Sequence, residues 1–249
     1  MRKDKHIWFR FYAELNDFLT ADKKQVSFKY AFIGPLKVEE AILSMRVPLS
    51  EIDLILINSQ PQTLDYFLNH NDYVSVYPVF ECFDISPINK LRKEPLRRST
   101  FILDVHLGKL AKFLRMAGLD TLYSDRFEDS EIIDISLETG RIILTRDRQL
   151  LHSKRINHGY FVRNIDPLKQ FKEVLAKFNL GSQLKPMMRC LKCNNPLEPI
   201  NKTKVLNRIK PAILNRFDTF YTCKQCNHIY WKGSHYERMT EFLASVRHS

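Results

Sequence analysis

The chain has 249 residues, 44% hydrophobic and 27% charged, enough for one large domain or two to three small ones with separate cores. No apolar run reaches the length of a membrane span, and the start "MRKDKHIWFRFYAELNDF" lacks the uninterrupted apolar stretch of a signal peptide, so a cytoplasmic protein with no membrane partner is expected. Residues 1–83 hold 9 Lys+Arg against 11 Asp+Glu, a net of −2, while residues 84–249 hold 30 against 17, a net of +13, which points to a polyanion, most naturally nucleic acid, at the C-terminal parts.

Along residues 1–83, "HIWFRFYAEL" and "QVSFKYAFIG" read as strands and "LKVEEAILSM" as a helix, with Leu36, Val38, Ala41, Ile42 and Met45 at helical spacing. "IDLILIN" and "DYVSVYPVF" are two further β-rich runs, and Pro78 puts the second near a sheet edge or its own end. The order is that of a β-grasp, although an unspecified α+β domain has the same pattern. Residues 84–99, "DISPINKLRKEPLRRS", hold two prolines and no periodicity and read as a linker.

Over residues 100–182, strands "TFILD", "DTLYSD", "RIILTRD" and "GYFVRN" alternate with helices "HLGKLAKFLRMAG", "DSEIIDISLETG", "RQLLHS" and "PLKQFKEVLAKF". Near-continuous apolar strands alternating with helices predict a parallel α/β sheet covered on both faces. No GxGxxG, GK[ST] loop or GxSxG elbow is present, which argues against dinucleotide, nucleoside-triphosphate and nucleophilic-serine chemistry.

Acidic residues recur where these strands hand over to helices. Asp104, Asp125 and Asp147 end three strands, while Asp129 and Glu131 open a helix. Each has a local explanation as a helix cap or dipole partner. In a parallel sheet, however, those strand ends share one edge, and clustered carboxylates repel unless a cation lies between them. Hard oxygen ligands select Mg²⁺ or Mn²⁺, and such sites hydrolyse phosphodiesters. Lys109, Lys112, Arg146 and Arg148 flank the acids and are candidates to hold substrate phosphates; an ordinary exposed helix face explains the two lysines equally well.

Residues 183–249 contain "CLKC" and "CKQC", so that Cys190, Cys193, Cys223 and Cys226 form two CxxC pairs suited to one structural Zn²⁺, with redox dithiols as the alternative. The insert "TKVLNRIKPAILNRFDTF" has a helical rhythm and is expected to form its own small element. In "NHIYWKGSHYERM", aromatics alternate with bases; Trp231 and His235 are candidates to engage RNA, or Trp231 packs the small core. Cys82 stands apart from the pairs and reads as a small apolar packing residue.

Taken together, "FILDVHLGKLAKFLRMAGLDTLY", "DSEIIDIS", "RIILTRDRQLL", the paired CxxC and "WKGSHYERM" resemble the Mut-seven C-terminal RNase family. The resemblance implies a PIN-like nuclease domain followed by a zinc ribbon. The N-terminal part, ending "VSVYPVFECFDISP", resembles the ubiquitin-like, sulfur-carrier-like β-grasp often placed before it. Implied with it are a metal-dependent ribonuclease using Asp104, Asp129 and Asp147, with Asp125 and Glu131 as secondary acids, RNA as partner and a protein partner for the β-grasp. Two departures stand out. Gln149 occupies the position where many PIN-like nucleases have a further acid, and no free diglycine ends the β-grasp, so sulfur transfer is not expected. The alternatives are an RNA-binding protein with a degenerate core, or a β-grasp adaptor.

Overall fold

The computed structural model describes residues 5–80, 85, 88–91 and 99–246; Cys82 and most of the expected linker lie outside them. The chain divides into two compact units, Met1–Arg98 with Asp147–Phe161, and Ser99–Arg146 with Val162–Ser249.

In the first unit, β1 (Lys5–Phe11) buries Ile7, Phe9 and Phe11 by strand alternation, and full burial of each such side chain contributes about 1.5–3 kcal/mol. Antiparallel β2 (Phe28–Phe32) flanks it. Helix α1 (Val38–Ser44) buries Val38, Ala41 and Ile42 on one face. Then follow β3 (Ile52–Ile57), the short β4 (Gln60–Pro61) and β5 (Tyr73–Pro78). The sheet order is β2-β1-β5-β3-β4, with β5 parallel to β1, and the fold is ubiquitin-like. Pro78 ends β5, which lies inside the sheet, so it marks the strand's end and not an edge.

In the second unit, β6 (Phe101–Leu103) leads through a 3₁₀ turn into α2 (Gly108–Met116). Strand β7 (Thr121–Tyr123), helix α3 (Asp129–Thr139) and β8 (Ile142–Thr145) follow. Both β7 and β8 pair parallel with β6, as the alternation predicts. Gly118 stops α2 at φ +87°, and a Cβ there would fall 2.1 Å from the Lys185 carbonyl oxygen, so no other residue fits.

The stretch Asp147–Phe161 belongs to the N-terminal unit. It holds α4 (Arg148–Leu151) and β9 (Gly159–Phe161). The Phe161 N–H donates to the buried Glu51 carboxylate at 2.6 Å, and the Arg148 guanidinium stacks 5.2 Å from the Phe18 ring centre and 4.9 Å from that of Phe161.

Back in the second unit, Asp166 caps α5 (Pro167–Lys177), accepting from the Leu168 and Lys169 N–H groups. The C-terminal part is an antiparallel sheet of β10 (Leu197–Ile200), β11 (Phe220–Cys223) and β12 (Ile229–Trp231). The insert is split into a 3₁₀ turn at Lys202–Val205 and α6 (Pro211–Arg216), because Pro211 lacks an N–H and fits only the first turn of a helix. Val205, Leu214 and Phe220 form its small core. The residues from "SHYERM" onward form α7 (Ser234–Val246), whose Phe242 packs 5.7 Å from Phe113 of α2 and 5.9 Å from Phe171 of α5, ring centre to ring centre. No helix among the described residues is long and apolar enough to cross a membrane.

Candidate metal centre and acidic site

The four paired cysteines come together. One sulfur from each lies within 4.8 Å of all the others, with Cys190–Cys226 at 3.5 Å and Cys193–Cys223 at 3.3 Å. A tetrahedron of Zn–S bonds near 2.3 Å spaces sulfurs about 3.8 Å apart, so the donor set fits one zinc ion with no open position. Two similar turns build it. In each, the asparagine after the second cysteine takes positive φ, Asn194 at 69° and Asn227 at 56°, and its N–H donates to the carbonyl of the first cysteine. Burial pushes the Cys190 thiol up, but bonds with the Tyr230 hydroxyl and the N–H groups of Cys193 and Lys192 outweigh it and bring the thiol down to about 7. Burial and the neighbouring thiols push Cys226 up to about 12. Four crowded sulfurs cannot all ionise without a cation among them, which is what the zinc would supply.

The first turn is fastened to the edge of the parallel sheet. Arg115 is 4% exposed; its Nε donates to the Thr121 carbonyl at 2.9 Å and Nη1 to the Lys192 carbonyl at 3.0 Å. The Asn194 side chain accepts from the Thr121 N–H at 2.9 Å and donates to Asp120 at 2.8 Å. Asp120 also pairs with Arg141 at 2.6 Å and Arg189 at 2.9 Å. Burial pushes the Asp120 carboxyl up, but the bonds from Arg141 and Asn194 and the charges of both arginines hold it below the usual carboxylate range.

The acids are arranged differently. Asp104 occupies the position before the 3₁₀ turn Val105–Leu107, yet its side chain makes no capping bond. It is 4% exposed, and its Oδ2 accepts from the Thr145 hydroxyl at 2.7 Å. The Tyr123 hydroxyl donates to the Val105 carbonyl at 3.0 Å beside it. Burial first, then the charges of Asp125 and Asp104, raise the Tyr123 phenol above its ordinary value. Tyr123 can lie there because Gly108 has no side chain: a Cβ would fall 2.6 Å from its hydroxyl. The cap of α3 is Glu128 and not Asp129, which is the first helical residue and exposed; Glu131 accepts from the Glu128 N–H at 3.0 Å. Asp147, carried by the N-terminal unit, caps α4 by accepting from the Gln149 N–H at 2.7 Å. Among the described residues, the cysteines are the one group of three or more His, Cys, Asp or Glu side chains gathered closely enough to hold a metal as they stand.

Two family models match the chain, the Mut7-C RNAse domain over residues 99–243 and the Mut7-C ubiquitin domain over residues 4–84. This chain belongs to the Mut7-C RNase domain family. No curated protein and no solved structure matches it.

Within this Mut7-C chain the basic candidates have divided roles. Lys109 and Lys112 are exposed on α2, opposite its buried Leu110, Ala111 and Leu114. Arg146 is a backbone clamp, donating from Nη1 to the carbonyls of Val162, Arg163 and Asn164 at 2.9, 2.6 and 2.6 Å. Arg148 lies over Phe18 and Phe161 and donates to the Asp17 carbonyl. Trp231 is half-buried against the Val205–Leu214–Phe220 core, and His235 is exposed at the start of α7. Tyr123, Thr145, Arg115 and Asn194 were not singled out from sequence. For Asn194 a signal existed, since asparagine follows both CxxC pairs and tolerates positive φ. Arg115 and Thr145 carry none, because their roles depend on partners far along the chain.

Proposed function

We propose that this Mut7-C protein is a metal-dependent ribonuclease in which Asp104 is the central acid, with Asp129 and Asp147 acting with it and Asp125 and Glu131 in secondary roles. The observation that carries the reading is Asp104 itself. It is a nearly buried carboxylate whose one side-chain hydrogen bond among the described residues comes from a neutral hydroxyl, Thr145, and which caps nothing. A buried charge without an opposite charge is costly, and a cation relieves that cost.

Mg²⁺ or Mn²⁺ bound there would lower the pKa of an attacking water and offset charge on the leaving oxygen. The chain's own residues prepare the place. Thr145 orients Asp104 and leaves its second carboxylate oxygen for a cation. Tyr123, kept protonated beside two carboxylates, spends its one O–H on the Val105 carbonyl and so fixes the turn that follows Asp104. Lys109 and Lys112 project into solvent from α2, the helix that starts beside Asp104, and suit phosphate contacts. Arg146 spends Nη1 on three backbone carbonyls, while Arg148 is exposed and, though it lies over Phe18 and Phe161, keeps N–H groups for a phosphate. RNA as the substrate is supported by the family and by the +13 balance of residues 84–249, 30 Lys+Arg against 17 Asp+Glu.

RNA binding without cleavage is favoured by three observations: no three acids among the described residues gather closely enough to hold a metal as they stand, Asp147 is already a cap, and position 149 is glutamine. A protein partner for the ubiquitin-like domain is supported by Phe67 and Tyr73, exposed at 56% and 60%. The test is incubation with mixed RNA under Mn²⁺ or Mg²⁺. Cleavage that stops with chelator and returns with the added ion supports the nuclease. Binding with no cleavage under either ion moves the RNA-binding alternative ahead.

A further inference from the structure

Beside the cysteine cluster, β12 and the start of α7 enclose a cavity of about 210 Å³ walled by Tyr230, Trp231 and Tyr236, with Leu197, Ile229 and Met239. Sites for drug-sized ligands run from about 300 Å³ upward, so the space suits one planar ring system. Its walls are set from outside. The Tyr230 hydroxyl lies 3.2 Å from the Cys190 sulfur and accepts from the Leu191 N–H at 3.2 Å, so the metal site fixes that ring. The Trp231 indole lies against the backbone of Gly233, where an added Cβ would sit 2.8 Å from its Nε1. Almost all the lining is apolar, so an occupant is recognised by its faces and not by its edges.

The surroundings say what delivers such a ring. Residues 185–249 hold 12 Lys+Arg against 4 Asp+Glu, a net of +8. His235 also lines the cavity, Lys232 lies 5.6 Å from the Tyr236 ring centre and Arg238 is exposed close by in sequence, while Arg189 at the wall is already paired with Asp120. A flat apolar face on an anionic chain is a nucleobase on its phosphate backbone. Aromatic walls beside basic residues are how single strands are held, and stacking accepts any base because every base has a π-face. A base inside a duplex reaches such a cavity only by leaving its stack, which costs a few kcal/mol.

We infer that this cavity receives one unpaired base of single-stranded RNA by stacking against Trp231, Tyr230 and Tyr236, with little discrimination among the bases. The inference deepens the ribonuclease reading and shares with it RNA as partner, but it concerns binding and stands apart from cleavage.

The experiment uses the full chain in a Trp8→Phe background, so that Trp231 is the one tryptophan emitting, with no Mg²⁺ or Mn²⁺ added. The probes are a short single-stranded oligoadenylate and a GC-rich hairpin of the same charge whose loop is a base-free linker. The single strand is expected to quench Trp231 emission and to bind more tightly than the hairpin. Trp231 also packs the small core, so the deciding variant is Tyr236→Ala. It should weaken single-strand binding about 5- to 150-fold, the equivalent of the ~1–3 kcal/mol of one stacked base, and leave hairpin binding unchanged, while Tyr236→Phe restores the parent value. An unchanged single-strand affinity in Tyr236→Ala, an equal loss for strand and hairpin, or emission that RNA does not move would each overturn the proposal. So would quenching by an apolar peptide and not by RNA, which would make the cavity a protein-docking site. Single-strand binding as expected without cleavage under Mg²⁺ or Mn²⁺ would retain the cavity and sink the nuclease reading alone.

Discussion

Within the second unit, two kinds of candidate metal ligand, the paired cysteines and the acid Asp104, are placed in opposite ways. The cysteine sulfurs are crowded within 4.8 Å of one another by two short turns, each supplying its ligands three residues apart. Asp104 arrives alone at the end of β6, and its nearest bonded partner, Thr145, comes from β8, 41 residues later. In the first set, local chain geometry makes most of the site and tertiary contact only fastens it. In the second, the sheet brings one acid to one hydroxyl, and the other candidate acids carry local duties: Asp147 caps α4 and Glu131 accepts from the Glu128 N–H. A ligand set encoded in turns is robust and structural. A lone acid at a strand end depends instead on what the packed sheet brings to it.

The comparison breaks most sharply at Asp104. Asp104→Asn keeps shape and hydrogen bonding and removes one buried charge, so the thermal midpoint should hold or rise. Cleavage should fall by orders of magnitude while RNA binding persists. Single-turnover assays at saturating protein read this directly, and a variant that cleaves at the parental rate would put the site elsewhere.

At the cysteines the expected change is in structure. Cys193→Ser should release the metal, since zinc binding supplies folding free energy of about 10–16 kcal/mol in small zinc modules. Hydrogen exchange should then speed up at the Thr121 N–H, which Asn194 protects, while Ile143 in the middle of the parallel sheet keeps its protection. Equal loss at both would mean that the sheet itself depends on the metal. Metal analysis that finds no zinc in fully reduced parent protein would remove the comparison's first half.

A smaller effect is expected where the two constructions join. Arg115→Met removes the buried donors to the Thr121 and Lys192 carbonyls and should cost about 3 kcal/mol in urea unfolding, since each unsatisfied buried acceptor costs about 1–3 kcal/mol. It should also slow zinc reloading after chelation. A loss below measurement error would show that the turn is held by the metal alone.

The smallest concerns acid. The folded-state pKa of Asp120 is held down by its bonds from Arg141 and Asn194, so its stabilising contribution is complete above the ordinary carboxylate value near 3.9 and is lost as pH falls through the lowered folded value. Asp120→Asn should therefore flatten the acid limb of a stability-against-pH curve below about pH 4. An unaltered limb would assign that titration to other carboxylates.

How much of this was legible beforehand follows the range of the interactions. The parallel sheet was readable, because apolar strands alternating with amphipathic helices have few other ways to bury both faces. The ubiquitin-like domain was readable only in part: the pattern equally allowed another α+β domain, the resemblance pointed to the β-grasp, and Pro78 was open between a sheet edge and the strand's end. The four cysteine ligands were readable, since a CxxC turn sets its own ligand spacing and needs only a second copy, whereas Arg115 and Asn194, which fasten the first turn, were not. The sequence by itself therefore determined what depends on neighbours a few residues apart: strand and helix periods, turn residues, ligand pairs.

Only the tertiary structure decided which polar groups meet across the chain. It gave Arg146 to three carbonyls and Arg148 to two phenylalanine rings, although both read as phosphate contacts by their place beside Asp147. It moved the cap of α3 to Glu128 and left Asp104 without one. It also made a helix of the aromatic-basic stretch after Gly233 and turned Trp231 toward both a core and a cavity. The physical reason is that a long polar side chain goes to whichever buried carbonyl, carboxylate or ring the packed fold leaves unsatisfied. Those groups are brought within reach by contacts tens of residues apart, which no local pattern records.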